Sequence, residues 1–150
     1  MSEFVITDEV NFFLDSNNTQ KDTQWTIEST AIVPEYFDKL DFHQVDEGKV
    51  ELVTVKSFEF LIRNQMDIGF IDTMHVWLRS EGLDDVLIAV SDDIPAAEGV
   101  VLNGNEVPNL EPYFKSDSIR FVIHGVSNRV VTDSIPMRIF LTTIVDHKGI

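Results

Sequence analysis

The stretch Ile68-Gly69-Phe70-Ile71-Asp72-Thr73-Met74-His75-Val76-Trp77-Leu78-Arg79-Ser80-Glu81-Gly82-Leu83-Asp84-Asp85-Val86-Leu87-Ile88-Ala89-Val90 decides the fold. Phe70, Met74, Val76 and Leu78 are large, apolar and two residues apart in phase, with Ile71, Thr73, His75 and Trp77 on the opposite phase. A polar cluster containing Gly82 follows, and then a second apolar run, Val86 to Val90. Side chains alternate faces along a strand, so this pattern predicts two strands joined by a short, solvated connection.

The same period of two recurs outward from that hairpin. Phe4, Ile6, Val10, Phe12 and Leu14 keep one phase with a gap at Asp8, and Asp15 to Thr19 is a turn cluster. A strand from Gln24 to Val33, burying Trp25, Ile27, Ala31 and Val33, is expected to complete a long hairpin with the first run. Pro34 suits the first turn of a helix, and Glu35 to Leu40 reads as one or two helical turns with Tyr36, Phe37 and Leu40 inward. From Lys49 to Arg63 the alternation slips between Thr54 and Ser57, which is the mark of a β-bulge or a break. Asp92-Asp93-Ile94-Pro95 and Gly99 mark a loop, Val100-Val101-Leu102 a short strand, and Asn103-Gly104-Asn105 a tight turn. Asn109 caps a helical turn through Lys115. Strands over Ser118–Val126 and Pro136–Asp146, joined by the polar stretch Ser127–Ser134, close the set. Regular spacing without a long helix predicts an all-β fold: one domain over residues 1–150, an antiparallel two-sheet β-sandwich of about eight strands with one or two short helical turns.

A chain of 150 residues is long enough to hold a core without disulfides or structural metal. No apolar run approaches the ~18–20 residues of a membrane helix. Acidic residues number 26 against 11 basic, a formal net charge of -15, and the basic ones (Lys56, Arg63, Arg79, Arg120, Arg129, Arg138 among them) stand singly in the sequence. Nucleic acid is therefore not an expected partner and anionic lipid surfaces are disfavoured, whereas cations and basic partners are favoured. Cysteine is absent, which removes disulfides, thiolate zinc sites and thiol catalysis. The first residues have no basic n-region and no long apolar h-region, so no signal peptide is expected within this chain.

The segment Asp67 to Leu78, with Glu81-Gly82-Leu83 and Leu87-Ile88-Ala89, and the later Asn109 to Arg120, resemble uncharacterised exported β-sandwich domains of the lipoprotein type common in Bacteroidetes. The resemblance spans roughly residues 50–145. It implies a two-sheet sandwich located outside the cytoplasm, at the cell surface or in the periplasm, and supplies no catalytic residues. The chain departs from the pattern in having no cysteine for lipid attachment. The resemblance also implies that Asp-Ser-Ile at Asp117 and Asp133 are O-glycan acceptors. Asn17-Asn18-Thr19 has the form of an N-glycan acceptor.

Candidate chemistry is sparse. Asp84-Asp85 and Asp92-Asp93 flank one strand and are the candidate ligands for calcium, which takes six to eight oxygens, against a reading as solvated turn residues. No other cofactor is expected. None of His43, His75, His124 and His147 has the close spacing of a compact metal site. His75 and His124 sit on the polar phase of their strands and are placed to meet on an outer sheet face. Trp77 shares that phase with His75, and an aromatic on the less apolar face of a strand marks a candidate ligand-binding surface. Trp25 reads as core. No nucleophile motif is present. The expected function is a non-catalytic binding or assembly module with a protein or glycan partner. The alternatives are a phage or particle subunit, and a carbohydrate-active hydrolase or calcium-dependent sugar-binding domain.

Overall fold

In a computed structural model, residues 2–14, 24–62, 71–91, 99–104, 109–128 and 135–148 are described. Strand β1, Ser2–Leu14, buries every second side chain from Phe4 to Leu14, Asp8 included. The same alternation shapes β8, Ile135–His147, which pairs antiparallel with β1 from Ser2↔His147 to Leu14↔Ile135. On its other side β8 pairs with β3, Val50–Ile62. The slip in the β3 sequence is a bulge: Val55 pairs with Thr143 but Ser57 with Thr142, leaving Lys56 as the extra residue. That extra residue lets Val53, Phe58 and Phe60 all turn inward although they are out of phase in sequence.

The second layer contains β4 (Ile71–Arg79), β5 (Val86–Ser91), β7 (Arg120–Ser127) and β2 (Gln24–Glu28). The ladder order is β1-β8-β3-β6-β5-β4-β7-β2, with β6 spanning Gly99–Gly104. Leu102 to Gly99 pair with Phe58 to Leu61 of β3, and Asn103 and Gly104 pair with β5, so β6 carries the ladder from one layer into the other. The layers meet face to face in one core, where the rings of Phe58 and Phe121 pack edge-on with centroids 6.0 Å apart. This is the antiparallel two-sheet β-sandwich that strand spacing predicts, with eight strands among the described residues.

Two short helices and a 3-10 turn complete the described elements. Helix α1, Tyr36–His43, buries Tyr36 and Leu40 in the core. It is tied to β1: the Glu35 N–H donates to Asp8 Oδ1 at 3.0 Å, and His43 stacks on Phe4 with ring centroids 4.2 Å apart. The 3-10 turn at Glu47–Lys49 leads into β3, and α2, Glu111–Phe114, anchors Phe114.

Several expectations are corrected. The runs now named β1 and β2 do not form a hairpin; they pair with β8 and β7 at opposite ends of the ladder. Strand β2 stops at Glu28, because Ser29 takes both partners of Phe121: its N–H donates to Phe121 O and its Oγ accepts from Phe121 N–H. When pairing resumes at Ile32↔Ile119 the register has moved by one residue. Ile32 is therefore half-buried, while Ala31 and Val33 are exposed. Phe37 is also solvent-facing, 45% exposed, since Tyr36 and Leu40 already occupy the inward side of α1. Ile71 leaves the Trp77 face altogether: a bulge at Asp72, between Ile71↔Ser127 and Thr73↔Val126, reverses its phase and buries it in the core. Phe70 lies outside the described residues.

Candidate functional site

The outer face of β4, β7 and β2 gathers the polar phase of three strands. From β4 come Thr73, His75, Trp77 and Arg79; from β7 Val126, His124, Val122 and Arg120; from β2 Gln24, Thr26 and Glu28. Register sets the neighbours: His75 pairs with His124, Trp77 with Val122, and Arg79 with Arg120. On the far side of β7, Thr26 pairs with His124 and Glu28 with Val122. Cross-strand pairs of this kind bring side chains within direct reach.

Trp77 is half-buried, and its indole meets His124 edge-on with centroids 6.4 Å apart and planes at 88°. His124 is fixed from β2, where Gln24 Nε2 and Thr26 Oγ1 approach its Nδ1 at 3.0 and 2.9 Å. Val122 is buried although it lies on this outer phase, between Trp77 and Glu28 in register.

Beyond Trp77, at Arg79 and Arg120, the face passes into a cleft of about 370 Å³ lined by Glu28, Arg79, Ser80, Glu81, Leu83, Asp85, Ser118 and Arg120. Arg79 is its organising group. Its Nε and Nη2 donate to the two oxygens of Asp85 at 3.0 and 2.8 Å, a bidentate fork, and its Nη1 lies 3.2 Å from Glu28. Arg120 reaches the other Glu28 oxygen at 3.6 Å. The hydrogen bonds from Arg79 hold the Asp85 carboxyl below its ordinary range. A glycosidase acid needs a shift in the opposite direction. The turn that delivers Asp85 is tight: Leu83 N–H donates to Ser80 O, with Gly82 at φ 80° in the position that demands a left-handed backbone. A second concavity of about 410 Å³ continues past Ser80, Glu81 and Ser118 to Lys115, Ser116 and Asp117.

The sequence-predicted residues separate accordingly. Trp77 and His75 are together on this face, with His124 beside them. Asp85 is committed to Arg79, and the Asp84 backbone carbonyl accepts from the Tyr113 hydroxyl. Asp92 and Asp93 lie outside the described residues, as do the Asn17 acceptor motif and Asp133. Among the described residues no three His, Asp or Glu side chains converge as a metal site. The remaining histidines form a different neighbourhood, where His43 and His147 both contact Phe4. Sequence reasoning missed the Glu28–Arg79–Asp85–Arg120 network. Arg79 lies two residues beyond Trp77 on the same phase, a signal that was legible. Glu28 and Arg120 join only through the β2–β7 and β7–β4 registers. Neither a family model nor a curated protein matches this chain.

Proposed function

We propose that this protein is a non-catalytic binding module acting outside the cytoplasm, and that the outer face of β4, β7 and β2 is its contact surface. The observation that carries the reading is the continuity of that face. A half-buried Trp77 sits between the His75/His124 pair and the Arg79/Arg120 pair, and the latter opens into a cleft. Amphipathic aromatics and arginines are the side chains that dominate recognition surfaces, and the cleft volume falls within the ~300–1,000 Å³ of small-ligand sites. The extracytoplasmic setting rests on the resemblance of residues 67–89 and 109–120 to exported sandwich domains. The reading is tested by adding a library of mono- and disaccharides, dipeptides and small acids to the labelled protein and following backbone amide shifts by NMR. Perturbations should cluster in β4, β7 and β2. Clustering on α1 or on β1 instead would sink the assignment of the face.

One observation favours a second reading, an assembly subunit of a particle. Strand β1 is thirteen residues long and ends the ladder, with only β8 beside it among the described residues. Val5 and Phe13 stand 47% and 65% exposed on its outer phase. A long edge with exposed apolar residues is a template for pairing with another chain. Light scattering over a concentration series decides: a discrete large oligomer supports assembly, and a monomer throughout rejects it.

A further inference from the structure

We propose that His75 and His124 are the two protein ligands of a divalent transition-metal ion of the zinc and nickel class, seated on the outer face between β4 and β7. The site stands apart from the cleft at Arg79 and does not depend on the binding reading above. Register puts the two histidines directly opposite each other on adjacent strands. The Cβ atoms of such a pair lie roughly 4.5–5.5 Å apart, close enough for both imidazoles to reach one ion at the ~2.0–2.1 Å of a zinc–nitrogen bond. Both residues line the same hollow of about 40 Å³, with Gln24, Thr73, Gly125 and Val126 as its other walls. That volume decides the class of occupant. It is far below the ~300–1,000 Å³ of a small-molecule site and on the order of a single water or ion.

The donor set selects the metal. Imidazole nitrogen suits zinc, nickel and copper, whereas calcium and magnesium need a shell of oxygens that two imidazoles do not supply. His124 also has the outer shell that a ligating histidine uses: Gln24 Nε2 and Thr26 Oγ1 lie 3.0 and 2.9 Å from its Nδ1. With an ion on Nε2, Nδ1 carries the ring proton and donates it to the Thr26 hydroxyl, which accepts as well as donates, while the Gln24 amide turns its oxygen to the ring. Thr26 pairs with His124 from β2 and His75 pairs with it from β4, so one flank braces the ring and the other brings the second ligand. His75 is exposed, and water completes the coordination beyond the two nitrogens. The field favours a cation, because the chain has a formal net charge of -15. The guanidiniums of Arg79 and Arg120 stand two rows further along the sheet, each paired with a carboxylate.

The test is isothermal titration of the full chain with zinc chloride and nickel chloride in about 0.15 M NaCl, which screens diffuse binding to surface carboxylates. Calcium chloride is the oxygen-seeking control. One equivalent of zinc or nickel per chain is expected, undisturbed by excess calcium. Loss of an outer-shell partner alone costs roughly 10–100-fold in metal affinity, so His75→Gln and His124→Gln should each weaken binding about tenfold or more. Thr26→Val should weaken it about tenfold, and His43→Gln, beside Phe4 of β1, should leave it unchanged. Circular dichroism checks each variant; should His124→Gln fail to fold, His75→Gln, at an exposed position, carries the test. In NMR spectra, paramagnetic nickel should broaden the ring signals of His75 and His124 before those of His43 and His147. No saturable zinc or nickel binding, binding that calcium displaces, or binding unchanged in either folded histidine variant overturns the site, and leaves the contact-face reading to its own experiment.

Discussion

Gly125 lies opposite Trp25 in register, and the two are packed so closely that only a hydrogen fits between them. A Cβ at Gly125 would overlap the indole, with Cη2 only 2.6 Å away. The indole N–H donates to Ser127 Oγ at 2.7 Å, so the ring cannot swing aside without orphaning a buried donor. Gly125→Ala should therefore cost about 1–3 kcal/mol or more, read as a lower midpoint in urea with unchanged slope. Asp8 is the other residue whose role only burial reveals. Its side chain is 2% exposed; Oδ1 accepts from Glu35 N–H, and Oδ2 has no hydrogen-bond partner among the described residues. Desolvation raises its carboxyl above the ordinary 3.8, the Glu35 N–H opposes this, and the Glu35 charge adds to the rise. The folded state thus holds this proton more tightly than the unfolded chain does. Its contribution to stability falls as pH rises from about 3.8 through the folded value. Asp8→Asn removes the charge and keeps an oxygen for Glu35. At pH 7 it should raise Tm, by less than the full cost of the buried charge because the amide Nδ2 takes the place of the unpartnered Oδ2, and the gain should vanish below that window. A lower Tm for the variant at pH 7 would refute this account.

Among the elements, α2 shows how a single side chain ties a short helix to a strand. Asn109 Oδ1 accepts from Val53 N–H at 2.9 Å and from Glu111 N–H at 3.1 Å, while Leu110 N–H donates to Val53 O. The N-cap of α2 is Leu110, not the Asn109 that sequence position suggests; Asn109, one residue earlier, bonds the Glu111 N–H, and its grip on β3 is not legible because Val53 is 56 residues away. Asn109→Ala leaves the buried Val53 N–H without its acceptor and should cost about 1–3 kcal/mol, checked by thermal unfolding. Hydrogen exchange at Val53 should accelerate in that variant. Elsewhere the legibility of elements tracked local pattern. The β3 bulge was readable because the apolar phase visibly slips at Lys56. The Asp72 bulge was hidden, since Ile71 and Trp77 share a phase in sequence and only the Ile71↔Ser127 pairing separates them. Arg79 and Arg120 read as isolated cations, yet a cross-strand register sets them side by side.

At the scale of the molecule, 26 acidic residues against 11 basic leave most carboxylates facing one another's field. The ion pairs around Arg79, Lys115 and Arg138 involve partly exposed side chains and offset little of it. Raising NaCl from about 0.01 to about 0.15 M shortens the screening length from roughly 30 to 8 Å. Tm should therefore rise over that range, and a fall would show that the ion pairs outweigh the repulsion. The ladder itself is non-local: Ser2 pairs with His147, so the first strand closes only on the last. Folding should accordingly be slow for the size, in the ms–s range of sandwich topologies, as stopped-flow would show. By itself the sequence determined the all-β class, most strand positions, the Trp25 core site and the polar phase carrying Trp77 and His75. These follow from alternation and turn chemistry, which act over a few residues. Tertiary structure decided which strands pair, that β6 joins the layers, and that Glu28 and Arg120 complete the cleft begun by Arg79 and Asp85. Pairing partners are chosen by registers between distant segments, and a one-residue shift in any of them would turn a different set of side chains outward.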